Sequence, residues 1–219
     1  VTTKAPIEFV VFDIGGTVVR EDRSWTQWAD WLNVTPPVLF AALGAVIANR
    51  EDDRRVFELI QPNFDFETER RAKETSGLNW HLQNEDLYPD AIPCIQELSE
   101  LGYRIGLAGN QPTSIEAMIE ELALPVEFIA SSERWGVSKP APAFFDCVIE
   151  ATGVTADRVA YVGDRLDNDV LPARLAGMFS IFVRRGPWGY IHSSWPEVEQ
   201  ADARIELLGE LGELLQARR

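Results

Sequence analysis

Four stretches of the chain carry side chains that could together handle a phosphoryl group. Asp13 lies in VVFDIGGTVV, Gly109 and Asn110 in LAGN, Lys139 in VSKPAPAFF, and Asp164 and Asp169 in YVGDRLDNDV. A carboxylate is a poor nucleophile in water, but it attacks phosphorus when placed in line and desolvated. Nucleophile and phosphate are both anionic, so something must neutralise them. Magnesium does so with oxygen ligands and retained waters, and Asp13, Asp164 and Asp169 offer such oxygens. Lys139 adds a mobile positive charge facing the phosphate. Glycines at 15, 16 and 109 let main-chain N–H groups approach phosphate oxygens closely. Each residue taken alone has a plainer reading: Asp13 as a turn cap, Lys139 as a solvated surface lysine, and Asp164, Asp167 and Asp169 as a solvated turn capping the next helix.

The elements around these residues decide whether they can meet. IEFVVFDI (7–14) is a short β-branched and aromatic run bounded by glycines, a buried strand by pattern. YRIGLAGN (103–110), VEFIASS (126–132), DRVAYVGD (157–164) and FSIFVRR (179–185) read as strands too, with helical segments between them. ARIELLGELGELLQ reads as a closing helix. Such alternation implies right-handed βαβ units and a parallel sheet, in which ligands sit at the carboxyl ends of the strands. Asp13, Asn110 and Asp164 fall at such ends. The fold class is α/β, a Rossmann-like parallel core with helices on both faces.

Residues 20–87 break the alternation. SWTQWADWLN places Trp25, Trp28, Trp31 and Leu32 on one helical stripe with Ser24 as N-cap, and PPVLFAALGAVIANRE, DRRVFELI and FETERRAKETS continue in helical period. This is an inserted all-helical cap domain, leaving 1–19 and 88–219 as the catalytic core. Most cap aromatics read as its own core, and Arg20 and Arg23 as solvated. RRGPWGYIH (184–192) reads as a packed loop tip.

Composition narrows the partners. The 219 residues include 35 acids against 20 bases, a net charge of -15, so nucleic acid is excluded as a partner by repulsion. A phosphate site on such a chain needs a local cation, and Lys4, Lys73 and Lys139 are its only lysines. Cys94 and Cys147 form no CxxC pair and read as reduced core thiols. No apolar stretch reaches the roughly 18 residues of a membrane helix, and the N-terminus lacks a signal pattern, so a soluble cytoplasmic protein is expected. The oligomeric state is left open.

DIGGT has two owners. Actin-like sugar kinases use it as a phosphate-clasping turn, but they continue into antiparallel strands and further glycine-rich loops, which this chain does not follow. The whole chain instead resembles the haloacid dehalogenase-like superfamily of aspartate-nucleophile hydrolases, subfamily I, whose helical C1-type cap follows the first motif. The family's strand-DxDxT is matched by Asp13, Gly15 and Thr17, its Ser/Thr strand end by LAGN, its KP lysine by Lys139, and its GDxxxxD by Asp164 and Asp169. The resemblance implies a Mg²⁺-dependent phosphatase acting on a small phosphorylated metabolite through an aspartyl-phosphate. It implies Asp13 and Lys139 as catalytic residues. Gly15, Gly16, Thr17, Gly109, Asn110 and Lys139 would lie at the phosphate. Asp13, the Gly15 carbonyl, Asp164 and Asp169 would hold the metal.

Two family positions differ. Gly15 replaces the acid that protonates the leaving group, and Gly109 replaces the hydroxyl residue. General acid–base help is typically worth about 10²–10⁴ in rate, so the first loss bears directly on turnover. A cap residue could supply the acid, with Asp22, Glu21 and His81 as candidates. The substrate could instead have a good leaving group, or the protein could be a phosphate-binding regulator. Dehalogenation does not need the paired acids of GDRLDND. Phosphonate cleavage needs a cap lysine, and Lys73, in a charged run, reads as solvated.

Overall fold

The computed structural model describes residues 5–78 and 80–218. The chain folds as two compact units, one containing the residues up to Arg20 and those from Leu82 onward, the other Glu21–His81.

The first unit is built on a parallel sheet. Strands β1 (Phe9–Phe12), β2 (Arg104–Gly109), β3 (Phe128–Ser131), β4 (Val159–Gly163), β5 (Phe179–Val183) and β6 (Ala203–Ile205) lie in the order β3-β2-β1-β4-β5-β6. Every neighbouring pair is parallel, and Phe12 stands level with Leu107 on one side and Val162 on the other. β1 is buried along its whole length, which explains its uninterrupted apolar run. Successive side chains alternate between the faces. Phe9 and Val11 join Phe144, Phe145, Val148, Tyr161 and Met178 in one core cluster on one face. Chain direction reverses its progress across the sheet between β1 and β4, the place where an open parallel sheet leaves a crevice.

The sixth strand departs from the expected closing helix. Ala203–Ile205 pairs with Ile181–Val183 at the sheet edge, and Arg184 N–H donates to the Ile205 carbonyl at 3.0 Å. Pairing with an existing edge outweighs the weak helical pattern of three residues, and the helix begins only at Leu211. The stretch read as a loop tip is helical over Gly186–His192, with Pro187 in the first turn, where a missing N–H costs nothing.

The second unit is helical: α1 (Asp22–Trp31), α2 (Pro36–Ala48), α3 (Arg55–Ile60) and α4 (Phe66–Thr75). Its core is aromatic. Phe57 meets Trp28 edge-on at 4.8 Å and stacks on Phe64 at 5.1 Å. α1 starts two residues before Ser24, because Trp25 N–H already bonds the Glu21 carbonyl. Lys73 is buried rather than solvated. Its ammonium donates to the Leu78 carbonyl at 2.6 Å and lies 5.3 Å from the Trp28 ring, and burial lowers its pKa. Arg23 is not solvated either: it bonds the His81 carbonyl and stacks on Trp80.

The helical unit is shorter than the expected 20–87. Residues 82–87 fold with the sheet: Leu87 bridges Val19, Tyr88 N–H donates to Val18 at 3.0 Å, and Arg20 bonds the Asp86 and Glu85 carbonyls. Among the described residues no single helix is long and apolar enough to cross a membrane.

Candidate active site

Asp13 leaves the end of β1, where its N–H donates to the Val162 carbonyl of β4 at 2.8 Å. β4 ends at Gly163, and Asp164 follows directly. A π-helical turn, Leu166–Val170, then returns Asp169 beneath the strand end. Oxygens of Asp13, Asp164 and Asp169 come within 4.8 Å of one another, and all three residues are buried. Two glycines make this convergence possible. Gly16 has φ +72°, and a Cβ there would stand 2.5 Å from Asp164 Oδ2. A Cβ at Gly163 would overlap Asp169 Cβ.

Lys139 enters from the β3 side and joins two of the acids. Its Nζ lies 2.5 Å from Asp13 Oδ1 and 2.6 Å from Asp169 Oδ1. Burial opposes its charge, but the adjacent Asp13 and Asp169 carboxylates outweigh burial and hold the ammonium well above its usual pKa. Asp169 shows the opposite pressure. Burial and then the Asp13 charge push its carboxyl up to about 7, with Lys139 pulling the other way.

The remaining predicted residues divide. Asn110 was expected at a phosphate. Its side chain clamps the lysine: Oδ1 accepts from Lys139 N–H at 2.8 Å, and Nδ2 donates to the Lys139 carbonyl at 2.9 Å. Thr17, expected beside it, is fully buried and directs Oγ1 at Asp164 Oδ1, 3.4 Å away. Gly15 sits in the turn, bridged to Val19. Gly109 faces Asp13, and a Cβ there would lie 2.9 Å from Asp13 Oδ1. Asp167 pairs with Arg165 at 3.1 Å. Asp22, Glu21 and His81 belong to the helical unit.

His192, which the sequence placed in a packed loop tip within reach of the strand ends, is buried and accepts the Leu166 N–H on Nδ1 at 3.0 Å, bracing the turn between Asp164 and Asp169. What the sequence did not show was its partner, because Leu166 lies 26 residues away. Sequence reading missed Gly163, because what a glycine faces is visible only in three dimensions.

Comparison with known proteins bears on this arrangement. A model of the haloacid dehalogenase-like hydrolase family matches residues 7–177. The glyceraldehyde 3-phosphate phosphatase of Methanopyrus kandleri is 34% identical over 105 residues; the match covers 46% of this chain and 45% of the relative, so the chain spans about half of its length. The phosphoglycolate phosphatase of Aliivibrio fischeri is 26% identical over 85% of this chain and 86% of its own. The fold matches that of the HAD-hydrolase YfnB from Bacillus subtilis, a magnesium-bound structure, with a TM-score of 0.71, 16% identity and coverage of 96% of this chain and 99% of the other. With the family's motifs in order along the chain and its acids and lysine gathered at one sheet edge, this chain belongs to the haloacid dehalogenase-like hydrolases.

Proposed function

We propose that this chain is a Mg²⁺-dependent phosphatase of the subfamily with a helical C1-type cap, formed here by the insert after the first motif. It would act on a small phosphorylated metabolite through an aspartyl-phosphate on Asp13. The observation that carries this reading is the set of three buried carboxylates, two of them paired with one ammonium, at the carboxyl edge of the sheet. The donor set suits magnesium: hard oxygen ligands, closely spaced, with more negative charge than Lys139 offsets. Asp13, Asp164, Asp169 and the Gly15 carbonyl would hold the ion, which would supply charge neutralisation at the phosphoryl oxygens.

The chain's own groups do the rest. Asp13 attacks phosphorus, a P–O bond forms to its carboxylate, and the bond to the leaving oxygen breaks with its electron pair. Water then attacks the same phosphorus, the P–O bond to Asp13 breaks, and inorganic phosphate departs. Lys139 holds positive charge beside the transferred group throughout. The Gly15 main-chain N–H would take a phosphoryl oxygen, while the Gly16 N–H, expected at the phosphate too, donates to the Val19 carbonyl at 2.8 Å and closes the turn. With glycine at 15, the leaving oxygen takes its proton from elsewhere, which favours substrates whose leaving group departs as a stable anion.

That same glycine, with Gly109, supports a second reading: a phosphate-binding regulator that turns over slowly. One assay separates the two. Phosphate release from an aryl phosphate is measured with and without Mg²⁺, for the native protein and Asp13→Asn. The phosphatase reading expects activity that needs both Mg²⁺ and Asp13, with a fall of at least about 10³-fold in the variant. Equal rates for native and variant would overturn it in favour of the regulator.

A further inference from the structure

Arg185 belongs to none of the family's motifs, yet it is a buried cation next to the first one. It sits between β5 and the helix Gly186–His192 and is 6% exposed. Its guanidinium makes three hydrogen bonds. Nη1 donates to the Thr17 carbonyl at 3.1 Å and to Asp90 Oδ1 at 3.0 Å, and Nη2 donates to Asp90 Oδ2 at 2.6 Å. Its plane covers the Tyr88 ring at 4.4 Å. Asp90 Oδ2 also accepts the Leu208 N–H at 2.9 Å. One side chain therefore ties the DIGGT turn, the chain returning from the helical insert, and the connection after β5.

The tie reaches the acids by two routes. Thr17, held by its carbonyl, directs its hydroxyl at Asp164 Oδ1. Gly186, the next residue after the arginine, has φ +61°, and a Cβ there would stand 3.7 Å from Asp164 Oδ2 and 4.0 Å from Gly16 Cα. The turn, the residue after Arg185 and Asp164 thus lie side by side. We infer that Arg185, locked by Asp90, is a positioning residue that sets the Gly15–Thr17 turn against Asp164 and so preorganises the metal-binding oxygens. This rests on the Mg²⁺ site proposed above. Lysine cannot replace it, because a single ammonium cannot present two parallel donors to a carboxylate and a third to Thr17.

The test is Mg²⁺ affinity by titration calorimetry on the full chain, with melting temperature measured alongside. Arg185→Lys and Asp90→Asn are compared with Leu215→Ala, a core change in the helix Leu211–Gln216. The inference expects both variants of the pair to bind Mg²⁺ about 10- to 100-fold more weakly, with kcat on an aryl phosphate reduced and KM little changed. Leu215→Ala should lose melting temperature while keeping native Mg²⁺ affinity. If Arg185→Lys fails to fold, Asp90→Asn carries the test. Native-like Mg²⁺ affinity in the pair, or equal weakening in Leu215→Ala, overturns the inference and leaves the phosphatase reading standing. A native protein that does not bind Mg²⁺ overturns both.

Discussion

Gly109 occupies a position where relatives of this fold are expected to carry a hydroxyl, and its surroundings explain why adding one is not a simple repair. A Cβ there would press on Asp13 Oδ1 at 2.9 Å and on Ile14 Cβ at 3.2 Å. The Asp13 carboxylate lies in the space that a side chain at 109 would use. Gly109→Ser is therefore expected to lower kcat on an aryl phosphate by about 10- to 100-fold, since small displacements of a reacting group cost that much. A rise in kcat would mean that the site merely lacks a hydroxyl. At this scale residue type was legible and residue partner was not. Asp13, Lys139, Asp164 and Asp169 converge because their motifs end or begin regular elements. Asn110 and Thr17 sit at the expected positions, but they hold Lys139 and Asp164 in place.

The elements matter through their connections. The strands and their alternation with helices were legible because burial on both faces demands continuous apolar runs. β6 and the helix Gly186–His192 were not, since a three-residue strand and a seven-residue helix are held by the tertiary contacts that pair or cap them. The Arg185–Asp90 pair is one such contact, and it has a pH signature. Burial works to raise the Asp90 pKa, but the hydrogen bonds from Arg185 outweigh burial and hold the carboxyl below its usual range. A carboxyl lowered on folding stabilises the folded state above its unfolded pKa. That contribution is lost as pH falls through the folded value. Arg185→Met should therefore melt well below the native protein at neutral pH, and the gap should narrow only as pH drops below about 4. Melting curves between about pH 3 and pH 7 check this; a gap independent of pH would mean that the arginine acts through packing alone.

For the whole molecule, the net charge of -15 includes three buried carboxylates gathered at one place. The three carboxylates repel one another when ionised, and one lysine does not balance them. A cation that binds only the folded chain should then stabilise it by mass action, by about 2.7 kcal/mol at a hundredfold excess over its dissociation constant. Mg²⁺ is expected to raise the melting temperature of the native protein, and Asp164→Asn should reduce or abolish the rise. A shift of equal size in Asp164→Asn would assign it to general screening of surface charge. The sequence by itself determined the parallel α/β core, the helical insert after the first strand and the order of the acidic and lysine motifs, because these follow from periodicity and from residue types at strand ends. Only the tertiary structure decided what each group touches. Lys139 reaches Asp13 across 126 residues and Arg185 reaches Thr17 across 168, and such separations leave no local pattern, since the packing of the sheet and its connections closes them.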